Sequence, residues 1–432
     1  SNSNITVNVT DNGQSASFSA GVQLPSGSGP FPAVVVYGGF GADTSTILSS
    51  GVAVINYNPT TVGAEGTPRN NKQGAFYSIY GSSSSTGLLA AWAWGVSRII
   101  DVIEQSGGNI LRGDATGVTG CSRFGKGAFV AGAFDQRIAL TMPIESGSAG
   151  APIFRGIPGE NGAQPLSSAY GEQPWLGDAF GSFTGNPNSL PVDTHEIVAM
   201  VAPRGLFIME NPHIDWLASR SGSVAALGGA EVYRALGALD NITYWSDVQD
   251  GNHCAVRNEW RAPLQQYLQA FLLNSGNATG TFRISPAKAG NLADWRNWQT
   301  PILTGGTTTP PTTPPTTPPT TPPTTPPTSP PPQTGDCTAT YELVNQWPGG
   351  FQAGVTVSAG AAALAGWTVS MTLPSGQTIV NLWNGVNSGT SGSVSVGNAP
   401  YNGTVAGGGS TTFGYVASGD GATPTGISCT SP

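Results

Sequence analysis

Charge is scarce in this chain. Only 9% of its 432 residues are Asp, Glu, Lys or Arg, against roughly 25% in an average soluble protein. The 16 basic residues form no run, and the formal net charge is −8. A nucleic-acid surface needs clustered Lys and Arg, so no nucleic-acid partner is expected. No apolar stretch approaches the ~20 residues that span a bilayer, so no membrane partner is expected either. The first residues, Ser-Asn-Ser-Asn, lack the charged and apolar regions of an export signal and read as a mature or trimmed start. Histidine is confined to His195, His213 and His253. No His/Asp cluster stands at ligand spacing, so neither a metal nor a cofactor is expected. Cysteine is limited to Cys121, Cys254, Cys337 and Cys429. Pairing Cys121 with Cys254 and Cys337 with Cys429 keeps each bridge inside one part of the chain. Oxidised pairs on a neutral, hydroxyl-rich chain argue for a secreted, extracellular protein, and a monomer is assumed.

What is present divides into three segments with different compositions. Residues 1–304 carry apolar runs of two kinds. Asn4–Thr10 and Gln14–Leu24 alternate polar and apolar residues, as an opening antiparallel pair does. Phe31–Tyr37, Gly51–Tyr57, Ile138–Ile144, Ala202–Glu210 and Ile242–Asp247 read as strands, the first two being continuous apolar runs that suit a sheet covered on both faces. Gly87–Glu104, Ala225–Leu239 and Arg261–Leu273 read as helices, the first with Leu88, Trp92, Val96, Ile99 and Ile103 on one side. Glu145 to about Asn188 reads as a long polar, Gly-rich loop. Strands alternating with helices predict an α/β three-layer sandwich of α/β-hydrolase type. Residues 305–335 form a Thr/Pro-rich linker, whose repeats favour extended polyproline II and a reach of about 80 Å. Residues 336–432 show short alternating runs between Gly, Ser and Asn turns: Thr338–Asn345, Gly354–Ser358, Trp367–Leu373, Gly392–Val396 and Ser410–Tyr415. That pattern predicts a small all-β sandwich.

The chemistry centres on Thr119–Ala128. A short apolar approach, a Ser between glycines and a helical run make a nucleophile elbow with Ser122 at its apex. The pattern departs from Gly-x-Ser-x-Gly, because Arg123 and Phe124 precede the next glycine, Gly125. His253 follows the last strand and precedes the last helix, where a general base is expected in this chain order. A Cys121–Cys254 bridge would tie the residue before the nucleophile to the residue after the base. The acid stays open on spacing: Glu210 or Asp215 after the late strand, or Glu145 after the strand that follows the elbow. Spacing narrowly favours Asp215.

Six motifs in order resemble the glucuronoyl esterases, carbohydrate esterases that cleave esters between 4-O-methyl-glucuronic acid on xylan and lignin alcohols. They are Gly120–Lys126, Ile144–Gly147, Gly171–Trp175, Ala202–Phe207, Ile214–Leu217 and Gly251–Cys254. The resemblance runs to about Leu303. It implies Ser122 as nucleophile, His253 as base, and Glu145 rather than Asp215 as acid, with Arg123 stabilising the oxyanion. It implies Lys126, Gln164, Glu172 and Trp216 as uronate-binding residues, and it matches a Cys121–Cys254 disulfide. An acetyl-xylan-type esterase on the same fold, or a non-catalytic wall-binding protein, is the alternative.

Residues 336–432 resemble a family-two carbohydrate-binding module. The terminal cysteines, Asn345–Phe351, Gly366–Trp367, Asn381–Asn384 and Asn398–Gly403 carry the likeness. It implies a flat strip of Trp347, Trp383 and Tyr401 that stacks on sugar rings of cellulose or, alternatively, xylan. Trp367 alternates inward and reads as core. The glucuronoxylan–lignin ester is thus the expected substrate and a cellulose surface the expected partner.

Overall fold

The computed structural model describes residues 2–301, 303, 337–347, 349–383, 385–398 and 402–431. The expected linker and Tyr401 lie outside the described residues, as do the side chains of Trp347 and Trp383. The chain separates into two compact units, residues 1–313 and 314–432.

In the first unit the strands are β1 (Asn2–Asp11), β2 (Gln14–Gln23), β3 (Phe31–Tyr37), β4 (Ala53–Tyr57), β5 (Leu111–Cys121), β6 (Ile138–Ile144), β7 (Gly205–Met209), β8 (Ile242–Ser246) and β9 (Phe282–Ile284). They form one sheet in the order β1-β2-β4-β3-β5-β6-β7-β8-β9. The β1–β2 and β2–β4 pairs are antiparallel, and every pair from β4–β3 onward is parallel. The helices are α1 (Thr44–Ser49), α2 (Ala75–Tyr80), α3 (Leu88–Gln105), α4 (Arg123–Phe134), α5 (Leu166–Glu172), α6 (Thr194–Val201), α7 (Ser219–Ala235) and α8 (Asn258–Phe271). No described helix is long and apolar enough to cross a membrane.

The continuous apolar runs are buried for the reason the sequence suggests. Val34 and Val36 of β3 pack on one face with Leu264, Tyr267 and Leu268 of α8. Ala33, Val35 and Tyr37 pack on the other with Trp92, Val96 and Ile99 of α3. Burying a side chain the size of Val or Leu contributes about 1.5–3 kcal/mol. The stretch expected as a loop from Glu145 to Asn188 is more ordered than its polarity suggests. It holds α5 and short 3-10 turns at Phe154–Gly159, Asp178–Phe183 and Pro187–Ser189. Phe154, Ile157 and Leu166 make a small separate core there with Leu190 and Ala218. These apolar residues are spaced too irregularly to show a period.

The second unit has eight strands: β10 (Cys337–Trp347), β11 (Gly350–Ala359), β12 (Thr368–Thr372), β13 (Thr378–Trp383), β14 (Gly385–Ser388), β15 (Ser393–Asn398), β16 (Ser410–Ser418) and β17 (Thr425–Thr430). They form two four-stranded sheets, β10-β11-β16-β13 and β14-β15-β12-β17. The Cys337–Cys429 disulfide joins β10 of one sheet to β17 of the other. Trp367 is buried, stacks on Phe413 with ring centroids 5.6 Å apart, and donates its indole N–H to the Asn402 carbonyl.

Candidate active site

The C-terminal ends of β5, β6 and β7 point to one edge of the sheet, where open parallel sheets place their ligands. At the end of β5 the chain turns sharply into α4. Ser122 sits at that turn with φ +59°, a left-handed conformation that L side chains seldom adopt. Such strain, about 1–3 kcal/mol, persists only where the surroundings fix it. Two glycines make the turn possible. A Cβ on Gly120 would stand 2.7 Å from the Phe124 carbonyl oxygen, and one on Gly125 would stand 2.6 Å from the Ile144 carbonyl oxygen. The close approach thus falls at Gly125. Position 124 is free to be Phe, whose ring covers Gly38 and packs on Trp92.

Glu145 follows β6 directly, is fully buried, and has φ +44°. Its Oε2 accepts the His253 Nδ1 hydrogen bond at 2.6 Å and the Cys254 backbone N–H at 2.8 Å. Asn211 Nδ2 lies 3.5 Å from Oε1, and Arg257 Nε lies 3.9 Å from the same oxygen. Arg257 also grips the loop that carries His253, donating to both Asp250 carboxylate oxygens and to the Asn252 carbonyl. Cys121 and Cys254 form a disulfide with Cα atoms 5.8 Å apart. The neighbours of Ser122 and His253 are therefore covalently joined. Cys121, Glu145, His253 and Cys254 form the one cluster of potential metal ligands among the described residues. Both sulfurs are in the disulfide, so neither is a thiolate donor.

Asp215, favoured as acid by spacing alone, lies elsewhere. It is exposed and pairs with Lys288 at 2.7 Å. Glu210, the other candidate, follows β7 and is fully buried beside Glu145. Burial, reinforced by the Glu145 carboxylate, pushes it up to about 8. Its Oε1 accepts from Ser146 Oγ at 3.3 Å, while the His253 bond goes to Glu145. His213 is engaged with the Val248 carbonyl, and His195 lies on α6.

A cleft of ≈ 300 Å³ opens beside Ser122, lined by Arg123, Lys126, Gln164, Glu172, Trp175 and Trp216. Lys126, one turn along α4, is buried beneath it. Desolvation lowers its ammonium to about 8, with Glu172 and Glu210 opposing that fall. Two of its three N–H bonds go to the Ser146 and Ser148 carbonyls. Gln164 Nε2 donates to Glu172 Oε2 at 2.8 Å. The Trp216 ring meets His253 edge-on at 4.8 Å and is 43% exposed, so it presents apolar surface to the cleft. One lining residue, Trp175, and one residue bonded behind it, Glu65, were not singled out in the sequence. Glu65 accepts from Arg123 Nε at 3.0 Å and from Trp175 Nε1 at 2.8 Å, holding the guanidinium at the mouth of the cleft. Trp175 lies within the Gly171–Trp175 motif. Glu65 stands in a Gly-rich loop with no local signal of its role.

The arrangement supplies a hydroxyl at a helix N-terminus, an imidazole oriented by a buried carboxylate, and a cationic, aromatic-walled cleft. Residues 7–237 match the family model described as glucuronyl esterase, fungi, and residues 337–431 match that of a cellulose binding domain. The chain is 40% identical over 310 residues to the 4-O-methyl-glucuronoyl methylesterase of Hypocrea jecorina, covering 70% of this chain. The chain spans 65% of that relative's length. Among solved structures it is similar to the glucuronoyl esterase catalytic domain from Hypocrea jecorina, with TM-score 0.64 and 38% identity, covering 69% of this chain and 82% of that one. It is also similar to a serine-to-alanine glucuronoyl esterase mutant from Sporotrichum thermophile in complex with methyl 4-O-methyl-beta-D-glucopyranuronate. That match has TM-score 0.63 and 38% identity and covers 68% of this chain and 79% of that one.

Proposed function

The chain belongs to the fungal glucuronyl esterase family, and on that premise we propose that it is a secreted serine esterase cleaving esters between (4-O-methyl)glucuronic acid of glucuronoxylan and lignin alcohols. Residues 1–304 carry the reaction, 305–335 form a spacer, and 336–432 bind cellulose through Trp347, Trp383 and Tyr401. The observation that carries the catalytic reading is the Glu145–His253 hydrogen bond, held beside Ser122 by the Cys121–Cys254 bridge.

Ser122 Oγ attacks the uronoyl carbonyl while His253 Nε2 takes its proton. Glu145, accepting from Nδ1, fixes the tautomer and stabilises the imidazolium that forms. The α4 N-terminus and Arg123, through its backbone N–H and guanidinium, stabilise the tetrahedral oxyanion. His253 then returns the proton to the departing alcohol. Water, deprotonated by the same imidazole, releases the uronate from Ser122. Lys126, Gln164 and Glu172 hold the sugar hydroxyls, and Trp216 offers its ring to the apolar face of the pyranose.

Wild type is expected to hydrolyse a benzyl or allyl ester of glucuronic acid, with Ser122→Ala reducing the rate by more than about a thousandfold. Hydrolysis of acetylated xylan with none of the glucuronoyl ester would refute the reading. For the second unit, crystalline cellulose should deplete the full chain from solution. An undiminished supernatant would reject cellulose as the partner.

A further inference from the structure

The Arg123 guanidinium does not stand free at the mouth of the reaction cleft. Glu65 Oε2 accepts from its Nε at 3.0 Å, and Glu65 Oε1 accepts from the Trp175 indole N–H at 2.8 Å. Neighbouring bonds fix this pairing. Gly66 N–H donates to the Gln173 side chain, and Ala64 N–H donates to the Gln73 carbonyl. Trp175 is buried, and its carbonyl accepts from Leu89 N–H at the start of α3. A carboxylate that belongs to none of the reacting groups is thus built against the cation next to the nucleophile.

A guanidinium offers a carboxylate two forks: side-on, through Nε and one terminal nitrogen, or end-on, through both terminal nitrogens. Glu65 takes Nε, so the side-on fork is closed. Among the described residues the two terminal nitrogens have no hydrogen-bond partner, and each can donate a single bond to an oxyanion. Charge follows the same pattern. The cleft wall itself carries two cations, Arg123 and Lys126, and one anion, Glu172. Glu65, behind the wall, brings the sum to zero. Glu210, raised to about 8 by burial, adds little negative charge at neutral pH.

A neutral wall matters because hydrolysis changes the charge of the ligand. The ester is uncharged at its reacting carbon. Water converts it into an alcohol, a carboxylate and a proton that His253 passes to solvent. An unpaired Arg123 would hold that carboxylate as well as the oxyanion, and only interactions stronger in the transition state speed turnover.

We propose that Glu65 is a specificity-determining residue of this site: it closes the side-on fork of Arg123 and offsets its charge, so that the cleft takes the neutral uronate ester and releases the free uronate. The proposal rests on the esterase reading above. Glu65 does not line the cleft and acts through Arg123.

The test uses free glucuronate as a competitive inhibitor of methyl glucuronate hydrolysis by the full chain at neutral pH. Glucuronamide, its uncharged analogue, is the control. Glu65→Gln keeps an acceptor for Trp175 and removes the charge. It should tighten inhibition by glucuronate about fivefold and leave glucuronamide within about twofold. The figure is modest because the Arg123 side chain is 40% exposed, so water screens the pair. Added salt should narrow the difference. Glu65→Asp, which keeps the charge, should stay near wild type for both inhibitors. Unchanged glucuronate inhibition in Glu65→Gln, an equal change for both inhibitors, or Glu65→Asp behaving as Glu65→Gln would overturn the proposal. Wild type inactive on the ester would instead overturn the esterase reading. Glu65 is then judged by calorimetric titration of wild type and Glu65→Gln with the same two compounds. Tighter binding of glucuronate alone by the variant would support the proposal, and equal affinities or no glucuronate binding would reject it.

Discussion

Replacing both Cys121 and Cys254 with Ala should weaken the first unit and loosen the base. The bridge closes a loop of 133 residues. Loop-closure entropy for that length is worth about 5 kcal/mol in the chain-entropy model, near the upper end of measured disulfide contributions. That is a large share of the 5–15 kcal/mol typical of a whole domain. The local effect is smaller. Glu145 still accepts from the Cys254-position backbone N–H, and Arg257 still grips Asp250 and Asn252. The His253 loop should therefore keep its position with more freedom, lowering kcat about tenfold with KM little changed. Urea unfolding followed by far-UV circular dichroism at a helical wavelength measures the stability term. Every described helix lies in the first unit and the second is all strand, so the signal reports on the bridged unit. A double variant within about 1 kcal/mol of wild type would refute the entropic reasoning. Unchanged kcat would show that Arg257 and Glu145 position His253 without help.

Glu145→Gln should lower kcat by about a thousandfold to ten-thousandfold, since the imidazole loses its charged orienting partner. Asp215→Asn, which removes only an exposed ion pair, should change the rate by less than about twofold; the reverse order would reassign the acid. Glu210 gives a pH signature. Its carboxyl is raised from 4.5 to about 8, so the folded state holds the proton more tightly than the unfolded chain. The resulting stabilisation is fully present below pH 4.5 and is lost as pH rises through about 8. Urea midpoints should therefore fall between pH 5 and 8 in wild type and fall less in Glu210→Gln; parallel slopes would show that Glu210 does not titrate there.

The parts of this protein that announce themselves in the sequence are those governed by local rules. The continuous apolar runs of β3 and β4 need cover on both faces, and the glycines around Ser122 are required by close backbone approach. His253 is the one histidine placed between the last main strand and the last helix. What stayed hidden depends on contacts between distant segments. Spacing alone preferred Asp215, because the side a carboxylate faces is set by the turn it sits in, and the 3-10 turn at Asp215–Leu217 turns it toward Lys288. Glu65 bonds Trp175 across 110 residues, a pairing without any local pattern. Lys126 could be placed one turn from Ser122, but its burial between Trp175 and two carbonyls follows from how the chain after Glu145 folds back. In the second unit, β14 and β17 are too polar to show alternation, and β13 is interrupted between Ile379 and Asn381.

The order in which the reacting groups occur along the chain has a consequence for synthesis. Ser122 and Glu145 emerge early, at the ends of neighbouring strands, while His253 follows only after β7 and β8 have been added to the sheet. A growing chain that stops before residue 253 can complete the elbow but has no base, and the thiol of Cys121 has no Cys254 to meet. On the proposed function, a chain ending before His253 holds the nucleophile without its base, so hydrolysis waits for the later strands, while the Cys121–Cys254 bridge adds rate and stability to a site that is already assembled. Appearance of esterase activity during refolding is accordingly a readout of completed topology rather than of partial structure.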